Sequence, residues 1–179
     1  MITPSEYNAI LDLMHRQVVP AIGCTEPIAV ALCVAKATEL LAAEPDTIDV
    51  RLSANIFKNA MGVGIPGTGM IGLPIAIALG ALAGKPELRL EVLRDCTKDD
   101  VERGKKFIDE GRIKITLEHD DADKLYINAL CNAGGKEAEA RIKSSHTNFV
   151  FMRKDAEELL NVASCAANAS QTADDIRLT

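Results

Sequence analysis

Pro20-Ala21-Ile22-Gly23-Cys24-Thr25-Glu26-Pro27 leads directly into Ile28-Ala29-Val30-Ala31-Leu32-Cys33-Val34. The second run is apolar all round a helix, and such a helix belongs inside a core. The octet before it supplies a beginning. Thr25 reads as the N-cap, and Pro27 falls in the first turn, where a missing N–H costs nothing. Cys24 then stands at a helix N-terminus, whose partial positive charge is expected to lower the thiol pKa and favour the thiolate. Gly23 lets the backbone approach whatever Cys24 holds. The plainer alternative is a buried cysteine acting as a small hydrophobe. Cys33, inside the apolar run, reads as core packing.

The helix predicted from this stretch covers residues 26–43 and ends at the Glu44-Pro45-Asp46 turn. Before it, residues 4–18 open on Thr3-Pro4-Ser5-Glu6 and carry an apolar stripe, predicting an amphipathic helix. After it, residues 47–54 alternate with period two as a half-buried strand. Four glycines and a proline then crowd residues 62–69, and a buried helix is expected from about 72 to 83. A second strand is predicted over 88–93, and a polar helix from Thr97 to about Glu110. Short strand-like runs follow at 112–118, 124–131, 136–143 and 147–152, with Asn132-Ala133-Gly134-Gly135 as a hairpin connection. A last helix is predicted over 155–169, ahead of a polar tail from 171 to 179.

Runs of helices beside runs of strands argue for an α+β fold. It is expected as a single domain over 1–179: buried Ala/Ile-rich helices with glycine loops in 1–93, an antiparallel sheet region with flanking helices in 94–155, and a helix and tail in 156–179. An apolar share of 47% suffices for a core, and with aromatics at 3% and no Trp that core must be aliphatic. A net charge of −6 disfavours nucleic acid and anionic membrane surfaces as partners. No signal-peptide pattern and no bilayer-length apolar span are present, so a cytoplasmic protein is expected. Cysteines at 24, 33, 96, 131 and 165 form no CxxC and no zinc spacing.

Residues 62–67 match GxGxxG. A dinucleotide site needs that motif directly after a strand, whereas Asn55 to Met61 intervene here, and Pro66 removes a donor. Two readings of the loop remain: a small-anion or carboxylate nest using glycine N–H groups and the Thr68 hydroxyl, or a tight crossover where only glycine fits. Ser53-Ala54-Asn55-Ile56-Phe57-Lys58-Asn59 sets Ser, Asn, Lys and Asn at a strand end, either as ligand donors or as ordinary turn hydrogen bonding. His15 reads as a surface residue and His119 as part of a solvated acidic turn. His146-Thr147-Asn148 is a weaker candidate between strands.

Taken together, Gly23-Cys24-Thr25-Glu26-Pro27, residues 53–59, Val63-Gly64-Ile65-Pro66-Gly67-Thr68-Gly69 and Ser145-His146-Thr147-Asn148 resemble the L-cysteine desulfidase family. That family is also described as UPF0597-type and as related to the iron–sulfur L-serine dehydratase alpha chain. The likeness runs from about residue 10 to 152. It implies a carbon–sulfur lyase of amino-acid catabolism that converts L-cysteine to pyruvate, ammonia and hydrogen sulfide with a [4Fe–4S] cluster. Cys24 matches the family's N-terminal cluster ligand. Substrate binding by Ser53, Asn55, Lys58, Asn59, Gly67, Thr68 and Gly69 is an expectation from their chemistry alone. The catalytic base stays unassigned. L-serine is the alternative substrate, and a non-catalytic amino-acid-binding or structural domain is the alternative role.

Members of the family are more than twice as long, with their other cluster cysteines in the C-terminal half. The chain is therefore expected to be an N-terminal fragment that needs a missing C-terminal region or a second chain. Alone it should hold no cluster and show no activity. An Ala/Ile helix face left uncovered would drive homodimerisation.

Overall fold

The structure, a computed structural model, describes residues 2–18, 20–118 and 123–162. His119, Cys165 and the tail from 171 lie outside the described residues. The elements run α1 (Pro4–Gln17), α2 (Thr25–Leu41), β1 (Thr47–Ser53), α3 (Ala54–Ala60), β2 (Gly64–Ile65), β3 (Met70–Ile71) and α4 (Leu73–Ala83). A 3-10 segment (Pro86–Glu91) precedes α5 (Lys98–Asp109), β4 (Ile113–Glu118), β5 (Tyr126–Ala133), β6 (Lys136–Lys143), β7 (Phe149–Lys154) and β8 (Glu157–Asn161). The fold is α+β: six strands form one sheet in the order β4-β1-β5-β6-β7-β8, and β2 and β3 form a separate small hairpin.

Helix α2 lies across the sheet and is buried nearly all round, from Pro27 to Ala35 without a break. It contacts β5 and β6, and every second strand residue joins the core: Ile48, Val50 and Leu52 of β1, Ile127, Ala129 and Cys131 of β5, Ala138, Ala140 and Ile142 of β6, all essentially without solvent contact. Helix α4 packs on α2, and α5 on α4. The α2–α4 crossing is tight. A Cβ placed on Gly80 would sit 2.6 Å from the Ala31 carbonyl oxygen, so only glycine permits that approach. Both apolar helices are thus covered within the chain. The stripe of α1 is not: Leu13 and Met14 remain exposed, as does Tyr7, although Thr3 and Glu6 form a capping box at its start.

Three sequence expectations change. The sheet is mixed rather than antiparallel, because β1 pairs in parallel with β4 and antiparallel with β5. Strand β1, from the helix-rich part, is therefore interior to the sheet. Residues 88–93 form no strand. Their Leu alternation instead serves a 3-10 segment packed on α2, whose backbone bonds are local apart from the Ile22 N–H donating to the Leu90 carbonyl. Residues 157–161 form β8, not a helix. Asp155, at φ 50°, turns the chain back so that β8 pairs with β7, and a ready ladder outweighs a short helical pattern. The remainder of the 155–169 helix lies outside the described residues. The β5–β6 hairpin turns on Gly134 and Gly135, both at positive φ as its two-residue loop requires.

Candidate functional site

The N-terminus of α2 gathers the separated motifs. Cys24 is the N-cap in place of Thr25, because its backbone takes the extended conformation (φ −73°, ψ 134°) while Thr25 is already helical. Its thiol makes no cap bond and donates to Glu26 Oε2 at 2.8 Å. The expected lowering of the thiol pKa is overturned. Burial and the bond to the Glu26 carboxylate both favour the protonated thiol and raise its pKa. The bond from Cys24 in turn holds Glu26 below the usual carboxylate range, helped by the nearby His146.

Gly23, at φ +78°, turns the chain so closely against the glycine loop that a Cβ there would lie 2.9 Å from Pro66 Cγ. Pro20 and Thr147 line one recess of about 290 Å³ together with the 3-10 segment. Three of the four motifs therefore meet at this turn. The fourth, residues 53–59, spans the end of β1 and most of α3, which packs on α2. A cavity of about 220 Å³ lies between Ile22, the tip of the β2–β3 hairpin and the segment entering α5. Cys24 is not among its lining residues, and its far wall is the 93–101 segment rather than the Asn/Lys stretch. A larger recess of about 490 Å³, at the C-terminal ends of α2 and α4, takes no residue from any motif.

The proposed ligand donors fare unequally. Ser53 is buried; its hydroxyl donates to the Lys124 carbonyl at 2.9 Å and accepts from the Tyr126 N–H at 3.3 Å, so it fixes the start of β5. The Thr68 hydroxyl donates to the Ile65 carbonyl at 2.7 Å and accepts from the Met70 N–H at 2.9 Å, closing the small hairpin. Gly67 and Gly69 supply its positive-φ corners, and neither lies against another group. Asn55, Lys58 and Asn59 are exposed on α3. Arg94, which the sequence analysis does not single out, lines the 220 Å³ cavity. No sequence signal marks it, because only the fold brings the 93–101 segment opposite the glycine hairpin.

The other described cysteines belong elsewhere. Cys33 is fully buried, with its sulfur 3.2 Å from the Ala140 carbonyl oxygen, and burial pushes its pKa far up. Cys131 packs beside Thr38 with its pKa pushed up to about 12, and half-buried Cys96 is pushed up to about 11. Among the described residues no three His, Cys, Asp or Glu side chains converge as a metal site. Of the thiolates that hold a [4Fe–4S] cluster, this turn offers one, Cys24.

Comparison with known proteins is consistent with the motifs. The chain is 64% identical over 159 residues to a UPF0597 protein of Bacteroides fragilis, covering 89% of this chain and 37% of that protein. It is 56% identical over 180 residues to one of Phocaeicola vulgatus, covering 99% and 42%. Over nearly its whole length the chain is thus similar to UPF0597 proteins. The chain spans about two fifths of the length of these relatives. No protein-family model and no solved structure matches it. Among the described residues, no helix is long and apolar enough to cross a membrane.

Proposed function

We propose that this chain forms part of an amino-acid lyase acting on L-cysteine, with the Cys24 turn at its working centre. The observation that carries the reading is one turn at which Gly23 abuts Pro66 of the glycine hairpin and the Cys24 thiol bonds Glu26, whose carboxylate His146 also stabilises. Residues so far apart in sequence converge at a helix mouth that has no evident need of a thiol as a cap. Cys24 would serve as one ligand of an iron–sulfur centre, whose other thiolates come from sequence beyond this chain. Such a centre would supply Lewis acidity toward the leaving group. This chain's part is to hold the sulfur at the turn, with Glu26 as the first acceptor for its proton. Gly67 and Thr68 of the glycine hairpin would meet the substrate, whereas Asn55, Lys58 and Asn59, exposed on α3, line none of the described cavities.

The test is sulfide and pyruvate release from L-cysteine and L-serine by a full-length protein carrying this segment, after anaerobic reconstitution with iron and sulfide. Sulfide from L-cysteine, lost in Cys24→Ser, is the expected result. Pyruvate from L-serine without sulfide from L-cysteine would move the assignment to a dehydratase. Full activity in Cys24→Ser would remove Cys24 from the chemistry.

A further inference from the structure

We infer that the 220 Å³ cavity beside the Cys24 turn binds the zwitterion of a small thiol amino acid, with Arg94 gripping its carboxylate. The inference rests on the lyase reading and names that reading's substrate pocket. Size is the first argument: the cavity is below the range for drug-sized ligands and suits a small metabolite. Its position is the second. Pro66 both lines it and touches the Gly23 turn, so a ligand there lies beside the residue that precedes Cys24.

Charge is the third argument. Arg94 is the cation on the cavity wall, and a guanidinium fork matches a carboxylate with two parallel bonds. Its present partners are loosely held: Glu91 Oε2 and Asp95 Oδ1 both lie 3.5 Å away, while Lys85 holds Asp95 Oδ2 at 2.7 Å. A ligand carboxylate can displace such contacts. Glu91 and Asp95 lie outside the cavity lining, so a ligand carboxylate would reach the guanidinium from the cavity side.

Wall chemistry selects the side chain. Ile22, Pro66, Leu93 and Val101 are apolar, and the Thr68 hydroxyl is engaged within its own hairpin. A ligand hydroxyl would lose water there and find no ready partner. A thiol is weakly hydrated and packs as a small hydrophobe, in keeping with the Cys96 thiol that shares the wall. The pocket therefore prefers cysteine to serine.

Binding to the 179-residue chain can be measured by calorimetry under reductant, using L-cysteine, 3-mercaptopropionate, cysteamine and L-serine. Arg94→Gln should weaken L-cysteine and 3-mercaptopropionate roughly ten- to a hundredfold, as loss of a charged hydrogen-bonding partner does, and leave cysteamine unchanged. Arg94→Lys should fall between. L-serine should bind at least about tenfold more weakly than L-cysteine. Arg94 is half exposed, so its variants should melt like the parent. No binding of L-cysteine by the parent, an unchanged affinity in Arg94→Gln, or equal affinity for serine would each overturn the pocket. Binding with this pattern but no turnover in the full-length enzyme would sink the lyase reading alone. Turnover indifferent to Arg94→Gln would sink the pocket alone.

Discussion

Substituting Gly23 tests the contact that joins the cysteine turn to the glycine hairpin. At φ +78° an alanine carries the left-handed penalty of about 1–2 kcal/mol. Its methyl would also lie 2.9 Å from Pro66 Cγ and 3.2 Å from Cδ. Relieving that overlap adds roughly 1 kcal/mol, within the usual coupling between touching residues. The total is about 2–3 kcal/mol, and at about 2–4 °C per kcal/mol for a chain of this size Tm should fall by roughly 4–12 °C. Pro66→Ala removes both offending carbons. In that background Gly23→Ala should cost about 1 kcal/mol less, leaving only the backbone part. The assay is a double-mutant cycle by urea unfolding. An identical cost in both backgrounds would mean that Gly23 and Pro66 do not touch, and the meeting of motifs that supports the lyase reading would be lost.

Three further outcomes follow from individual groups. Ser53→Ala strips a buried hydroxyl from the Lys124 carbonyl and the Tyr126 N–H, and should cost about 1–3 kcal/mol in urea unfolding while leaving L-cysteine affinity unchanged. Cys24 should alkylate more slowly than a free thiol at neutral pH, because burial and Glu26 raise its pKa; Glu26→Gln should speed the reaction, with Cys33 and Cys131 inert in both, as read by peptide mapping after iodoacetamide. Glu26 and Asp100 titrate below their ordinary values in the fold, so the stability they contribute is present above the unfolded values of 4.5 and 3.8 and lost as pH falls through the lower folded ones. The urea midpoint should accordingly hold steady near neutrality and drop in that acid window, less steeply in Asp100→Asn.

What the sequence discloses is what depends on local pattern. The all-apolar run after Pro27 has no place but a core, and α2 occupies it. Gly134-Gly135 can make one kind of hairpin, and it does. Where partners are distant, pattern misleads. The Leu alternation at 88–93 resembles a strand, yet no neighbouring strand reaches it and it packs on α2 instead. Residues 157–161 carry too few helical positions to outweigh the edge that β7 offers. The same division runs through the site. The residues at the Cys24 turn are readable because they form one short motif. The polarity of that thiol is not, since it depends on burial and on Glu26 turning back toward it. Ser53 and Thr68 look like donors to a ligand until the fold supplies their acceptors.

Strand β1 lies between two strands that the chain delivers much later, Ile48 pairing with Ile113 on one side and with Cys131 on the other. On a ribosome, β1 and the greasy α2 leave the exit tunnel long before either neighbour is made. Until β5 emerges α2 can pack only on α3, α4 and the 3-10 segment, its sheet-facing side has no cover, and such long-range pairing is slow. The nascent chain should therefore engage chaperones, and stalling translation ahead of residue 126 should leave it protease-sensitive, with protection gained abruptly once β5 has cleared the tunnel.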